Sequence, residues 1–204
     1  MSLNNPEYVR VDGELYKINT DFRVALECNK IAEDTSIGDL ERAMAIVYKL
    51  FGEKGLNCRD QNKLIELGVK YLSLGMEQKQ PKNNPSDNYE LDFNKCEGLI
   101  KSSFKFDYGY DPYEKDYVHW WTFYNDLQNL SSSEFGTCCA LNRVAEIINM
   151  DTSKMKDKDA KKIREAQKEL REKYCKSKKK ELTQKEKESV GNLYKQLGLW
   201  KGGN

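Results

Sequence analysis

The stretch YVHWWTFYNDL, residues 117–127, decides the fold class. A first row of apolar side chains recurs every three or four residues, which is the spacing of one face of an α-helix. This row comprises Tyr117, Trp120, Tyr124 and Leu127, and a second row of Val118 and Trp121 lies beside it. A face this wide is typical of a heavily buried helix, so the stretch predicts a helical core.

The same stretch makes specific predictions about its own residues. Pro112 fits the first position of the helix, because proline lacks the N–H that a helix start leaves unpaired. Trp120 lies in line with the first row and is expected in the core. Trp121, about 100° away around the helix, is the expected surface or interface residue.

Outward from this helix, the chain shows further apolar rows with helical spacing. We expect a first helix capped by Asn19, Thr20 or Asp21, a second capped by Asp39, a third that follows Asp60, and a fourth starting near Asp92. A sixth follows Ser131–Ser133, and a narrow stripe of Ile163, Ala166, Leu170 and Tyr174 marks a charged C-terminal helix. Only four prolines and 13 glycines occur in 204 residues, which favours helices over strands and turns.

One β-hairpin is expected near the N-terminus. Asp12-Gly13 separates two short apolar runs, and this dipeptide favours a type I′ turn because both residues need a positive φ. An isolated hairpin is marginally stable in water. We therefore expect Val9, Val11 or Ile18 to be buried against helices.

Charge divides the chain into two parts. Residues 1–150 carry 17 basic and 24 acidic side chains, a net charge of −7, whereas residues 151–204 carry 17 and 9, a net charge of +8. The predicted fold is therefore mainly α: a helical body over residues 1–150 with an N-terminal β-hairpin, and a basic helical arm over 151–204. A polar, proline-containing stretch over 75–88 is predicted to be an exposed loop.

The sequence shows no motif that is typical of an enzyme active site. Its only histidine, His119, lies in the apolar stretch and is expected to have a structural role, its ring nitrogens bound by backbone or carboxylate groups. The Phe51–Gly55 stretch lacks the spacing of a phosphate-binding loop and is better explained as a helix end and turn. The six cysteines lack metal-ligand spacing. We expect no catalytic residue, cofactor or metal, and a soluble cytoplasmic protein with no membrane span.

Protein–protein contacts are the expected function. The candidate interaction residues are Trp121, Phe123, Ile163, Leu170, Tyr174, Lys178, Lys179 and Lys180. The lysines could neutralise phosphates, which leaves nucleic-acid binding through the arm as an alternative. Interleaved glutamates in the arm make this alternative unlikely, since mixed-sign helices usually face solvent.

Several segments resemble one known family, in the family's order and over roughly Val9 to Tyr174. They are Ile18-Asn19-Thr20-Asp21-Phe22-Arg23, Tyr89-Glu90-Leu91-Asp92-Phe93, Tyr108-Gly109-Tyr110-Asp111, His119-Trp120-Trp121-Thr122-Phe123, and Ile148-Asn149-Met150-Asp151 with Lys154-Met155-Lys156-Asp157-Lys158. They are similar to the bacteriophage gene-product-fifteen family of siphophages. The stretch from Lys176 to Asn204 is longer than the family pattern.

The resemblance implies a tail-region protein of a phage or prophage, without catalytic residues. Genes of this family lie just before the tape-measure gene, which implies a tail assembly chaperone that binds the tape-measure protein in the host cytoplasm. A connector protein retained in the virion is the other alternative, and a homo-oligomer is possible.

The arm's composition predicts that its end is separable from the fold. Deleting Lys176–Asn204 should leave a folded, helical protein, because this part offers too little apolar surface to form a core. Self-association or partner binding should weaken, more at low salt than at high, since exposed charges are screened within about 10 Å at 0.1 M. Circular dichroism and size-exclusion chromatography measure both effects. Loss of cooperative unfolding would contradict the prediction.

Overall fold

The fold is mainly α. The computed structural model describes residues 5–75, 89–132, 137–153 and 155–176. Within them the elements are β1 (Tyr8–Val11), β2 (Glu14–Lys17), α1 (Phe22–Glu33), α2 (Asp39–Leu56), α3 (Gln61–Leu72), α4 (Glu97–Tyr108), a 3₁₀ turn (Pro112–Glu114), α5 (Trp120–Gln128), α6 (Ala140–Asn149) and α7 (Asp157–Tyr174). None of these helices is long and apolar enough to cross a membrane. The loop predicted over 75–88 lies, apart from Gly75, outside the described residues.

The predicted hairpin is confirmed. Strands β1 and β2 pair antiparallel, with Val9 opposite Tyr16. Asp12 and Gly13 have φ values of 49° and 82°, as a type I′ turn requires. Strand β1 packs on α3 and β2 on α2, which buries Val11 and Ile18 to 3% and 2% exposure.

Stacked aromatic rings from three helices form the centre of the core. The Phe123 ring of α5 lies 4.3 Å from that of Phe22 on α1 and 5.4 Å from that of Phe104 on α4, nearly parallel to both. The Trp120 ring is 6.1 Å from Phe123. All four side chains are buried, so α5 is the buried helix that the sequence predicts.

The start of α5 differs from the prediction. The helix begins at Trp120, because the chain before it pairs with the segment that enters α1. Phe22 N–H donates to the Val118 carbonyl at 2.9 Å, and Trp120 N–H donates to the Thr20 carbonyl at 2.8 Å. These bonds hold the backbone extended, so Tyr117 precedes the helix and is 54% exposed. Its assignment to the core row was wrong.

His119 is the N-cap of α5. Its Nδ1 accepts the Trp121 N–H at 3.1 Å, and Nε2 then carries the proton and donates to the Pro6 carbonyl at 3.4 Å. Burial lowers the pKa of the ring below its ordinary value. The predicted structural role, with backbone partners for both ring nitrogens, is confirmed.

Other helix starts also shift from their predicted positions. Asp21, one of the three candidates, caps α1, and α3 follows Asp60 as predicted, with Asp60 as its N-cap. Gly38, not Asp39, caps α2, and the Glu41 carboxylate accepts the Gly38 N–H. Helices α4 and α6 start later than predicted, at Glu97 and Ala140.

Helix α7 packs on α6 through polar contacts at the end of α6. Gln167, only 4% exposed, donates from Nε2 to the carbonyls of Ile147 and Met150, and Arg171 donates to that of Ile148. A helix end leaves its last carbonyls without intrahelical partners. The side chains of α7 supply these partners, so α7 caps α6.

Residues 174–176 then bind the segment that enters α4. Asp92 N–H donates to the Tyr174 carbonyl at 2.8 Å, and Lys176 N–H donates to the Glu90 carbonyl at 3.0 Å. Cys175 between them is 2% exposed. This pairing, here called the terminal clasp, holds the last described residues of the arm against the body.

Replacing Trp120 with Ala should lower the free energy of unfolding by roughly 3–5 kcal/mol, as large-to-small core changes do. The change removes a fully packed ring and leaves the Leu72 carbonyl without the indole N–H that binds it at 3.1 Å. Chemical denaturation measures the loss. Phe106→Ala is the matched control, because Phe106 is 60% exposed and should change stability by less than about 0.5 kcal/mol. Equal stabilities of the two variants would contradict the core assignment.

The His119 cap should make stability depend on pH. The pKa of His119 in the folded protein is lowered, so the unfolded chain binds the proton more readily. The contribution of His119 to the free energy of unfolding is therefore fully present above the pKa of this histidine in the unfolded chain. It is lost as the pH falls below that pKa. We expect wild type to lose more stability than His119→Asn between pH about 7.5 and about 5.5, where histidine titrates. Asparagine caps helices without titrating in this range. If the free energies of unfolding of the two proteins changed equally with pH, this prediction would be contradicted.

Candidate functional site

The segment between β2 and α1 is fixed between two other parts of the chain. Asn19 N–H donates to the Leu50 carbonyl of α2 at 2.7 Å. On the other side, the Thr20 hydroxyl is 2.7 Å from that of Tyr117. Three segments distant in sequence, 17–20, 48–52 and 117, thus meet at one place.

A cleft of about 650 Å³ opens where they meet. We call it the aromatic cleft, because Tyr48 and Tyr117 line it and are 50% and 54% exposed. Its other lining residues are Lys17, Ile18, Asn19, Thr20, Lys49, Leu50, Phe51 and Gly52. Ile18 and Leu50 line it although they are almost fully buried, so the two half-exposed tyrosine rings offer the larger apolar surface.

Gly52 interrupts α2 at one side of the aromatic cleft. Its φ of 67° and ψ of −162° lie outside the helical range and are accessible to glycine but strained for residues with a Cβ. The predicted helix end in this stretch is thus present as a break within α2. The break lies next to the turn that carries Tyr48 and Leu50.

The aromatic cleft carries positive charge. Lys49 Nζ lies 2.5 Å from a Glu27 carboxylate oxygen, and this hydrogen bond raises the pKa of the lysine. Lys17 is exposed and has no ion-pair partner in the described part of the chain. A partner with a carboxylate beside an apolar anchor would therefore match the cleft.

Phe123, predicted to contact a partner, is fully buried in the aromatic stack. Its interface assignment was wrong, because α5 turns Phe123 towards α1 and α4. Trp121 is partly buried: its ring lies 6.2 Å from that of Tyr71, and its Nε1 donates to the Tyr71 carbonyl. It retains some exposure but is fixed against α3.

The remaining predicted interaction residues lie on or after α7. Ile163, Leu170 and Tyr174 are partly buried, and Tyr174 packs against the core. Lys178, Lys179 and Lys180 lie outside the described residues. None of the predicted interaction residues that the structure describes lines the aromatic cleft.

Sequence reasoning missed both tyrosines of the cleft. Tyr117 was assigned to the core row of a helix that starts three residues later. Tyr48 did carry a signal, because it falls outside the apolar row of α2 formed by Leu40, Ala43, Val47 and Leu50. An aromatic side chain on the polar side of a helix is a candidate contact residue.

Comparison with known proteins gives one match. No curated protein and no solved structure matches the chain. The profile of a family described as "Bacteriophage Gp15 protein" matches residues 3–176. The match covers most of the 204 residues, spans every element from β1 to the terminal clasp, and agrees with the resemblance read from the sequence. The chain therefore belongs to the bacteriophage Gp15 protein family.

Proposed function

We propose that this protein is a non-enzymatic tail assembly chaperone, which binds the tape-measure protein through the aromatic cleft. Membership in a phage family supports a role in phage biology. The observation that carries the binding role is the pair of half-exposed tyrosines beside a preformed apolar cleft. The tail-assembly role rests on the gene position that the family resemblance implies.

The aromatic cleft has the properties of a protein-contact site. Tyrosine is enriched in interfaces and among the residues that dominate binding energy, because its ring offers a large apolar area. The Tyr117 hydroxyl is already bound to Thr20 at 2.7 Å. A side chain held before binding loses less conformational entropy on binding.

The cleft also indicates which partner segment would fit. An amphipathic helix could place an apolar anchor against the two tyrosine rings, as helices do in apolar grooves. An acidic residue next to this anchor would pair with Lys17. Long helices with such repeats are what the family resemblance implies for the tape-measure partner.

Replacing Tyr48 and Tyr117 together with Ala should weaken binding to the tape-measure protein by at least about 30-fold, the ~2 kcal/mol of one hot-spot truncation. The measurement is affinity of the co-expressed, purified pair, with circular dichroism to verify the fold. Phe106→Ala removes an aromatic ring of similar exposure that does not line the cleft. This control should bind as wild type does.

Two outcomes would count against the proposal. Wild-type affinity of the double variant would show that the cleft is not the binding site. Detection of the protein in purified virions at structural copy number, by mass spectrometry, would favour a connector over a chaperone, since a chaperone leaves the finished tail.

A further inference from the structure

A second depression lies where α2 packs on α3. We call it the apolar groove. It has a volume of about 200 Å³ and is lined by Ala32, Asp39, Arg42, Ala43, Ile46, Val47, Leu50, Phe51, Ile65, Gly68 and Val69. Its lining is almost entirely apolar, and the charged pair of Asp39 and Arg42 lies at one end. Val69 in this lining is 39% exposed.

The apolar groove follows from close packing of α3 on α2 at a glycine. A Cβ at Gly68 would lie 3.2 Å from the Leu50 Cδ1 atom and 3.4 Å from the Phe51 ring. Ala43 and Ala32 also line the groove, and their small side chains leave the space next to this contact unfilled. Ile46 and Ile65 remain only partly buried, so the groove offers uncovered apolar surface.

The chain leaves the described fold beside this groove. Lys176, the last described residue, places its Nζ 2.7 Å from a Glu33 carboxylate oxygen at the end of α1. Glu33 directly follows Ala32, which lines the groove. The next residues of the chain therefore start near the end of α1, one residue along from Ala32.

The sequence after Lys176 contains a segment whose pattern matches the groove. Val190, Leu193, Leu197 and Trp200 follow each other at spacings of three, four and three, which is the pattern of one helix face. Between Ser189 and Asn204 the only charged residues are Lys195 and Lys201. With Gly191 and Gly198 inside it, so short a segment is a poor helix in isolation, so its apolar face needs a surface to pack on.

The tether between Lys176 and Val190 is long enough for the segment to reach the groove. Residues 177–189 can span up to about 43–47 Å when extended, at ~3.3–3.6 Å per residue. The 18 residues of α2 measure only about 27 Å, at ~1.5 Å per residue. A tether of this length also gives the segment an effective concentration near the millimolar range, which favours the chain's own groove over that of a second copy.

We propose that the segment from Val190 to Trp200 docks in the apolar groove of the same chain. Its apolar face covers Ala43, Ile46 and Ile65, and Lys195 and Lys201 stay in solvent. The tyrosines of the aromatic cleft do not line the groove, although Leu50 and Phe51 line both. Residues 177–204 lie beyond the family match, so the docked segment is an addition to the family fold.

Photo-crosslinking of the full-length chain tests this docking. Benzoylphenylalanine replaces Leu197, and mass spectrometry maps its crosslinks in an equal mixture of ¹⁴N and ¹⁵N protein. We expect crosslinks to α2 and α3 residues of the groove, within one isotope form only. Ala43→Glu should lower their yield at least about tenfold, because a carboxylate in an apolar site is strongly unfavourable. Phe106→Glu, a charge on an exposed site outside the groove, should leave the yield unchanged.

Each other outcome would overturn the proposal. Crosslinks that join ¹⁴N to ¹⁵N chains would show that a second copy is the occupant. Crosslinks to the aromatic cleft or spread over the surface, or no crosslink at all, would show that the segment does not occupy the groove. An Ala43→Glu chain that keeps its circular dichroism spectrum and its groove crosslinks would also refute it. None of these results depends on the tape-measure protein.

Discussion

The stack of Phe22, Phe123 and Phe104 is the contact on which the rest of the structure depends. It joins α1, α5 and α4, elements that lie far apart in the sequence. The backbone bonds of Phe22 to Val118 and of Trp120 to Thr20 fix the position of α5 against α1. These same bonds place Tyr117 beside Thr20, so the aromatic cleft exists because the core is packed in this way.

Features encoded locally were predictable from the sequence. The Asp12-Gly13 turn depends only on the backbone preferences of two residues. The caps at Asp21 and Asp60 each depend only on one side chain that accepts a hydrogen bond from the helix directly after it. The start of α5 was not predictable in this way. It depends on hydrogen bonds to residues about 100 positions earlier, and these override the apolar spacing that placed Tyr117 in the helix. Pro112 opens the separate 3₁₀ turn instead.

The candidate site was less predictable than the fold for the same reason. Periodicity shows which side chains share a face of one helix, but not which of several faces remains uncovered after packing. Phe123 was assigned to an interface although α1 and α4 enclose it. The aromatic cleft forms only where three separate segments meet. Its one signal in the sequence was the position of Tyr48 outside the apolar row of α2. Family membership, in contrast, could be read from short motifs whose order along the chain suffices.

The terminal clasp has a mechanical consequence. Only two backbone hydrogen bonds join residues 174–176 to residues 90–92, supported by the ion pairs of Lys176 with Glu33 and Glu90. A force applied at Lys176 therefore loads these bonds first, one after another, rather than all together. Peeling would then travel back along α7 and uncover the end of α6 before it reached the aromatic stack. Under tension applied at Lys176, the fold thus yields from this end inward.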